Sequence, residues 1–378
     1  MVFAEKISVV MPTYNTQISI LREAVDSILN QTFSDFEFII IDDGSANDTY
    51  EYLKSIPDKR IKIIKNDTNI GITKSLNIGF RAARGKYIAR MDSDDIAFPD
   101  RFEKQYAFME SHPDVFVCGS KAIFFKDRAL PDIKPAEQTK KQYTFIKKKD
   151  SRRKESTEIV NCKVEDMESY RVSMIFTNPG PVHPTAFFNH EKLIQYHIEY
   201  NEELIYAQDY DLWMRISSFG QICTLPEVLL YYRVHSGQIS KEHRKKQIEC
   251  DQMTQRKLLE QLLDNVSEED LSFHYQHSSG YYSNAKISPR AIQWYGRILT
   301  ANRERKIYDH KKLVQYIDRI KTSLILQTFT QDMRKSEKVR LLFQYMPFST
   351  ALKTIVRIIK AKSCRLLLQI IENANLND

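Results

Sequence analysis

Ile7-Ser8-Val9-Val10-Met11-Pro12-Thr13-Tyr14-Asn15 is a short β-branched run that breaks into a polar loop at a proline. An apolar run of this length, stopped by turn residues, reads as a strand buried on both faces. The pattern then repeats. Between Ile20 and Leu29 the apolar residues are Ile20, Leu21, Ala24, Val25, Ile28 and Leu29, the spacing of a helix with one buried stripe. Phe36 to Ile41 and Ile61 to Ile64 read as strands. Thr73 can cap a helix to about Ala83, and Gly85 ends it before a strand from Tyr87 to Met91. A helix follows Pro99, then a strand at Phe116–Val117. Strands alternating with amphipathic helices predict an α/β fold, a mostly parallel sheet with helices on both faces. Ligands in such sheets bind beyond the carboxyl ends of the strands, so the residues just after each strand are the candidate site.

Three strand ends meet that rule with polar groups: Pro12-Thr13-Tyr14-Asn15, Asp42-Asp43-Gly44-Ser45 and Asp92-Ser93-Asp94-Asp95. Carboxylates gathered at one sheet edge repel one another unless a cation or hydrogen-bond donors offset them. Their oxygen ligands suit Mg2+ or Mn2+, ions that share phosphate oxygens with a substrate. A diphosphate site is the expectation.

These segments resemble the motifs of the family 2 inverting glycosyltransferases, of GT-A fold. The resemblance runs on through Asn69-Ile70-Gly71, Asn77-Ile78-Gly79, His183-Pro184-Thr185, Asp209-Tyr210-Asp211-Leu212-Trp213 and Tyr231-Tyr232-Arg233-Val234-His235, covering about residues 5 to 240. It implies a nucleotide-sugar donor, most naturally a UDP-sugar, and a glycan or lipid-linked acceptor of the kind used in bacterial surface polysaccharide synthesis. It implies that Pro12, Thr13 and Tyr14 line the nucleoside pocket, with Asp43 accepting from the base, Asp42 nearby and Lys74 beside the nucleotide. Asp92 and Ser93 would meet the ribose or sugar, and Asp94 and His235 the metal. Asp209 matches the catalytic base, although the acid that usually precedes it is Gln208 here. His183, Thr185 and Trp213 would fall on the acceptor side, Trp213 as a core residue or a sugar platform. A base and a single displacement give inversion. The Gln-x-x-Arg-Trp motif of processive relatives is absent from the sequence, so one transfer per encounter is expected.

Two other classes compete. A sugar nucleotidyltransferase would show a Gly-rich basic loop where Pro12-Thr13-Tyr14-Asn15 stands. A binding or scaffold protein that had lost catalysis finds a hint in Gln208, against which stand Asp92, Asp94 and Asp209.

The remaining sequence bounds organisation and location. Residues 1–240 form the expected catalytic domain, interrupted at about 130–163 by a basic insertion; Lys134 to Lys163 holds ten Lys or Arg against four Asp or Glu. Residues 241–378 read as a basic helical region. Near its end, Leu352, Ile355, Val356 and Ile359 oppose Lys353, Arg357 and Lys360, a pattern that fits either an anionic membrane surface or packing on the protein itself. The five cysteines lack the spacing of a zinc or redox motif, and the sequence shows neither a signal peptide nor a spanning segment. Cytoplasmic placement is expected, with a peripheral position on the inner face of the plasma membrane as the alternative. The formal net charge of +7 comes without any nucleic-acid-reading arrangement, so no nucleic-acid partner is expected.

Overall fold

The computed structural model describes residues 3–126, 158–159, 167–234, 244–278, 285–328, 334–345, 351 and 355. Nine strands form one sheet: β1 (Glu5–Thr13), β2 (Phe36–Asp42), β3 (Ile61–Lys65), β4 (Gly85–Arg90), β5 (Ile96–Ala97), β6 (Val115–Phe125), β7 (Glu158–Ile159), β8 (Phe187–Asn189) and β9 (Gln221–Arg233), in the order β3-β2-β1-β4-β8-β6-β9-β5 with β7 beside β6. β3, β2, β1 and β4 are parallel. Three strands depart from a simple parallel sheet: β8 lies antiparallel between β4 and β6, β5 is antiparallel to β9 and β7 to β6.

Alternation along β1 shows why both faces are covered. Ile7, Val9 and Met11 share a core with Leu21, Val25 and Ile28 of α1 (Ile18–Leu29). The opposite face receives α3 (Ile72–Ala82), the next helix after α2 (Thr49–Lys54). There a Cβ on Gly79 would come within 2.4 Å of the Val10 side chain and 2.8 Å of Ile41. Strand side chains alternate faces, so residues one apart pack against different helices. Phe102 of α4 (Arg101–Ser111) joins the α1 side. β1 has β2 on one side and β4 on the other, which places the carboxyl end of β1 at the switch point where ligands enter such sheets.

The chain divides into two compact units, Met1–Met167 with Asn178–Thr254, and Glu168–Thr177 with Gln255–Asp378. The first holds the sheet, together with α6 (His190–Gln195) and α7 (Gln208–Ile216), which come after α5 (Met167–Met174). In the second unit, Val172, Ile175 and Phe176 lie in a core with Leu259, Leu262, Trp294, Tyr295, Leu313 and Ile317. The membership of 168–177 in a helical core was not visible in the sequence pattern. Its helices follow α8 (Arg244–Leu262) as α9 (Glu268–His277), α10 (Pro289–Arg305), α11 (His310–Thr328) and α12 (Lys335–Tyr345). Ser267 and Ser288 cap α9 and α10 by accepting from Asp270 N–H and Ala291 N–H, and Pro289 takes the first turn of α10, where no donor is needed.

Ala351 is buried in that core and Ile355 is partly buried against it. The other residues of the proposed membrane face, Leu352, Val356 and Ile359 with Lys353, Arg357 and Lys360, lie outside the described residues, as does the 130–163 insertion apart from β7. Among the described residues no helix is long and apolar enough to cross a membrane.

Candidate active site

The ends of β1 and β2 are tied to each other by their loops. Asn15, at a left-handed φ of 50°, donates its N–H to Ser45 Oγ at 2.9 Å, and its Oδ1 accepts from Ala46 N–H at 2.8 Å. Asparagine tolerates that conformation better than most residues. Gly44, at φ 71°, is pressed against the backbone of Thr68, where a Cβ would come within 2.5 Å. Tyr14 projects from this frame with 48% of its surface open, an aromatic ring available for stacking.

The two acidic residues after β2 differ. Asp43 is buried and committed: it accepts from Asn66 Nδ2 at 2.8 Å, Ile70 N–H at 3.0 Å and Gly71 N–H at 2.9 Å, fixing the loop before α3. Asp42 accepts from Ser45 N–H through Oδ1, while its buried Oδ2 has no hydrogen-bond partner. A buried acceptor left open is costly unless a ligand fills it. Asp42 has no exposed surface, so this oxygen is enclosed by the protein.

Beyond β4, Asp92, Asp94 and Asp95 bring ligand oxygens within 4.8 Å of one another. Arg90 grips Asp92 with a two-pronged fork, Nη1 to Oδ2 at 2.6 Å and Nη2 to Oδ1 at 2.5 Å. Asp95 accepts from Arg233 N–H at 2.9 Å, Arg233 Nε donates to the Asp94 carbonyl at 2.7 Å, and its Nη2 pairs with Glu23 of α1. Ser93 Oγ shares a 2.9 Å hydrogen bond with Thr16, which also accepts from Thr13 Oγ1. Burial raises the Asp92 carboxyl, with Arg90 opposing and Asp94 reinforcing the shift. Burial, then Asp94 and Asp92, raise Asp95 well above its ordinary value, and its buried Oδ2 lacks a partner. Arg90 and the buried Arg101 oppose the shift at Asp92, while like-charge repulsion among the carboxylates remains. Hard oxygen donors in such a cluster fit a divalent ion.

Asp209 lies in the first turn of α7, which begins after Ala207 in a left-handed conformation. Its Oδ2 accepts from Asn178 Nδ2 at 3.1 Å and its Oδ1 from Tyr210 N–H at 2.9 Å. The helix terminus favours the ionised form, but burial outweighs it and raises the Asp209 carboxyl, opposed by Asn178, the Tyr210 N–H and Arg90. Asp211, two residues on, is buried and pairs with Arg215 at 2.8 Å. Arg90 thus acts on both acidic centres.

His183 meets the Tyr200 hydroxyl at 2.7 Å, and burial together with the nearby Arg90 holds it neutral, its pKa well below the usual value. Of the other two acceptor-side residues, Trp213 takes the core reading and Thr185 needs correction. Trp213 has no exposed surface; it stacks on Phe188 at 5.8 Å and presses on Gly180, so it offers no face to a sugar. Thr185 is equally buried, donating to the Val182 carbonyl at 2.7 Å and accepting from Ser120 N–H at 3.0 Å. Lys74 is exposed on the first turn of α3 and Pro12 is buried in β1. His235 lies outside the described residues.

Arg90, Asn178, Tyr200 and Arg233 carried no role in the sequence reading. Arg90 had a signal: a lone arginine in the apolar strand Tyr87-Ile88-Ala89-Arg90-Met91 is expensive to bury without a partner. Asn178 and Tyr200 had none, since their partners lie 31 and 17 residues away.

The open Tyr14, the acidic triad and a separate half-buried carboxylate fit a glycosyltransferase. The family model for glycosyl transferase family 2 matches residues 8–174. An uncharacterized glycosyltransferase of Haemophilus influenzae is 31% identical over 69% of this chain and 75% of the relative, and the amylovoran biosynthesis glycosyltransferase AmsE of Erwinia amylovora is 28% identical over 62% and 78%. The crystal structure of S. aureus TarS 1–349 in complex with UDP-GlcNAc superposes with a TM-score of 0.51 at 20% identity, covering 84% of this chain and 90% of that one. The chain belongs to glycosyltransferase family 2.

Proposed function

We propose that this glycosyltransferase is inverting, metal-dependent and non-processive, moving a sugar from a UDP-sugar to a hydroxyl of a glycan or lipid-linked oligosaccharide. The observation that carries the reading is the acidic cluster beyond β4, where Asp92, Asp94 and Asp95 bring ligand oxygens within 4.8 Å of one another and Arg90 forks Asp92.

In this reading Tyr14 stacks on the base, Asp43 accepts from the uracil edge and Asp42 lies nearby. Asp92, oriented by Arg90, and Ser93 meet the ribose or donor sugar, with Lys74 near the phosphates. Asp94, with His235 as the second ligand the family resemblance names, would hold Mg2+ or Mn2+. Such an ion neutralises the charge that builds on a departing diphosphate. Asp209 takes the proton of the acceptor hydroxyl as the new bond forms, and a single displacement inverts the anomeric carbon. Burial suits it to that work, because a carboxylate with a raised pKa is a stronger base. Neutral His183, held by Tyr200, lines the acceptor side.

TarS was crystallised with UDP-GlcNAc, which supports trying UDP-sugars first, and the name of AmsE supports a surface polysaccharide as product. A lipid-linked acceptor would place the enzyme on the cytoplasmic face of the membrane. The test is UDP or GDP release from a panel of UDP-GlcNAc, UDP-Glc, UDP-Gal and GDP-Man, with Mn2+ and with chelator. Release from one UDP-sugar, abolished by chelator, is expected; release that ignores chelator removes the metal assignment.

A further inference from the structure

Asp209 is held from the side by a loop that is 31 residues earlier in the chain and built to be rigid. Asn178 precedes Pro179, which biases its backbone to an extended form. Its Oδ1 accepts from Gly180 N–H at 3.0 Å, so the amide orientation is settled and Nδ2 is the end that faces Asp209. Gly180 in turn fits flat against Trp213, where a Cβ would come within 2.1 Å of the indole, and Pro181 fits against Gly119, where a Cβ would come within 2.2 Å. Asp209 and Trp213 are four residues apart on α7 and so share a face of the helix. The loop therefore meets that face at two rungs, Asn178 on Asp209 and Gly180 on Trp213.

Resting on the reading of Asp209 as the base, we propose that Asn178 is its positioning residue: the Asn178 amide clamps the carboxylate in the orientation from which it takes the acceptor proton. Two donors, Asn178 Nδ2 and Tyr210 N–H, reach different oxygens and stop the carboxylate from rotating. A neutral amide is the fitting partner. A lysine or arginine there would bind the carboxylate as an ion pair and weaken it as a base, whereas the amide orients it at small cost in basicity. The charged and titratable groups that act on Asp209 are Arg90 from β4 and Tyr200, whose hydroxyl is engaged by His183. They are untouched by a change at Asn178, which lets that contact be read separately.

The test is a carboxyl-13C NMR titration of protein labelled at aspartate, with the Asp209 signal assigned by its loss in Asp209→Asn. Asn178→Ala removes the donor, and the Asp209 midpoint should rise by about one pH unit, the usual worth of a hydrogen bond to a carboxylate. Asn178→Asp keeps the shape but sets a second carboxyl against the first, and the midpoint should rise further. Should the alanine variant not fold, the isosteric aspartate variant still reports. UDP affinity by calorimetry should be unchanged in both. An Asp209 midpoint that stays in place in both variants overturns the clamp. Failure of the base reading looks different: Asp209→Asn would keep near-normal turnover even though the midpoint moved.

Discussion

Two acidic centres lie partly buried in this protein, and their partners make them different. At the end of β4 three carboxylates crowd together; Arg90 forks one, Arg233 steadies the loop, and like-charge repulsion adds to burial in raising Asp92 and Asp95. On α7 a single carboxylate meets a neutral amide and a backbone N–H, and burial is the chief cause of its shift. In the proposed reading the first centre would relieve like-charge repulsion by binding a cation, and the second would take up a proton. The nature of the partners, more than the count of carboxylates, separates a binding group from a base.

The sharpest way to break that contrast is Asp209→Asn, which keeps the shape and deletes proton acceptance. Turnover should fall by about 10² to 10⁴, the usual share of a general base, while UDP affinity by calorimetry holds. If Asp209→Asn turned over normally and Asp211→Asn did not, the base would move to Asp211.

Arg90→Met attacks the other centre. It leaves Asp92 buried without its fork, so the midpoint of chemical denaturation should drop by an amount equivalent to about 3–5 kcal/mol, the usual cost of breaking a buried pair. An unchanged midpoint would show that Asp92 has water or another donor to turn to.

Asp94→Ala sharpens the division of labour. Mn2+ should strengthen UDP binding to the parent protein, and the variant should bind UDP with Mn2+ no better than with chelator, a loss of about tenfold to a hundredfold. Equal affinities in all four conditions would remove Asp94 as a ligand.

The smallest effect concerns pH. Asp209 works only when ionised and its pKa is raised, so turnover should fail on the acid side above the ordinary carboxylate range. Stability runs the other way. The folded protein holds that proton more tightly than the unfolded chain does, so this group's stabilising contribution is complete below the unfolded pKa. It is lost as pH rises through the folded one. Asp209→Asn should therefore melt no lower than the parent at pH 7.5, by up to a few degrees higher, and the gap should close on acidification. A lower melting temperature at pH 7.5 would mean that the ionised carboxylate stabilises the fold.

Much of this was legible before any coordinates. The runs Ile7–Met11, Phe36–Ile41 and Tyr87–Met91 became β1, β2 and β4, because apolar periodicity is a local property and a buried strand is short. The acidic and hydroxyl groups after each strand were legible for the same reason, since strand ends in such a sheet converge on one edge. β8 was not: three residues, Phe187 to Asn189, slip antiparallel between β4 and β6, and their place is set by pairing.

The sequence by itself determined the family, the sheet's leading strands and the acidic residues that line its edge, all of which are written in contiguous segments. Only the tertiary structure decided which partners each acid meets. It spent Asp43 on its own loop and enclosed Asp42 with one oxygen lacking a partner. It buried Trp213 against Gly180, and it set an arginine on Asp92 but an asparagine on Asp209. The physical reason is that a carboxylate's charge state and orientation depend on burial and on donors that the fold brings in from tens of residues away.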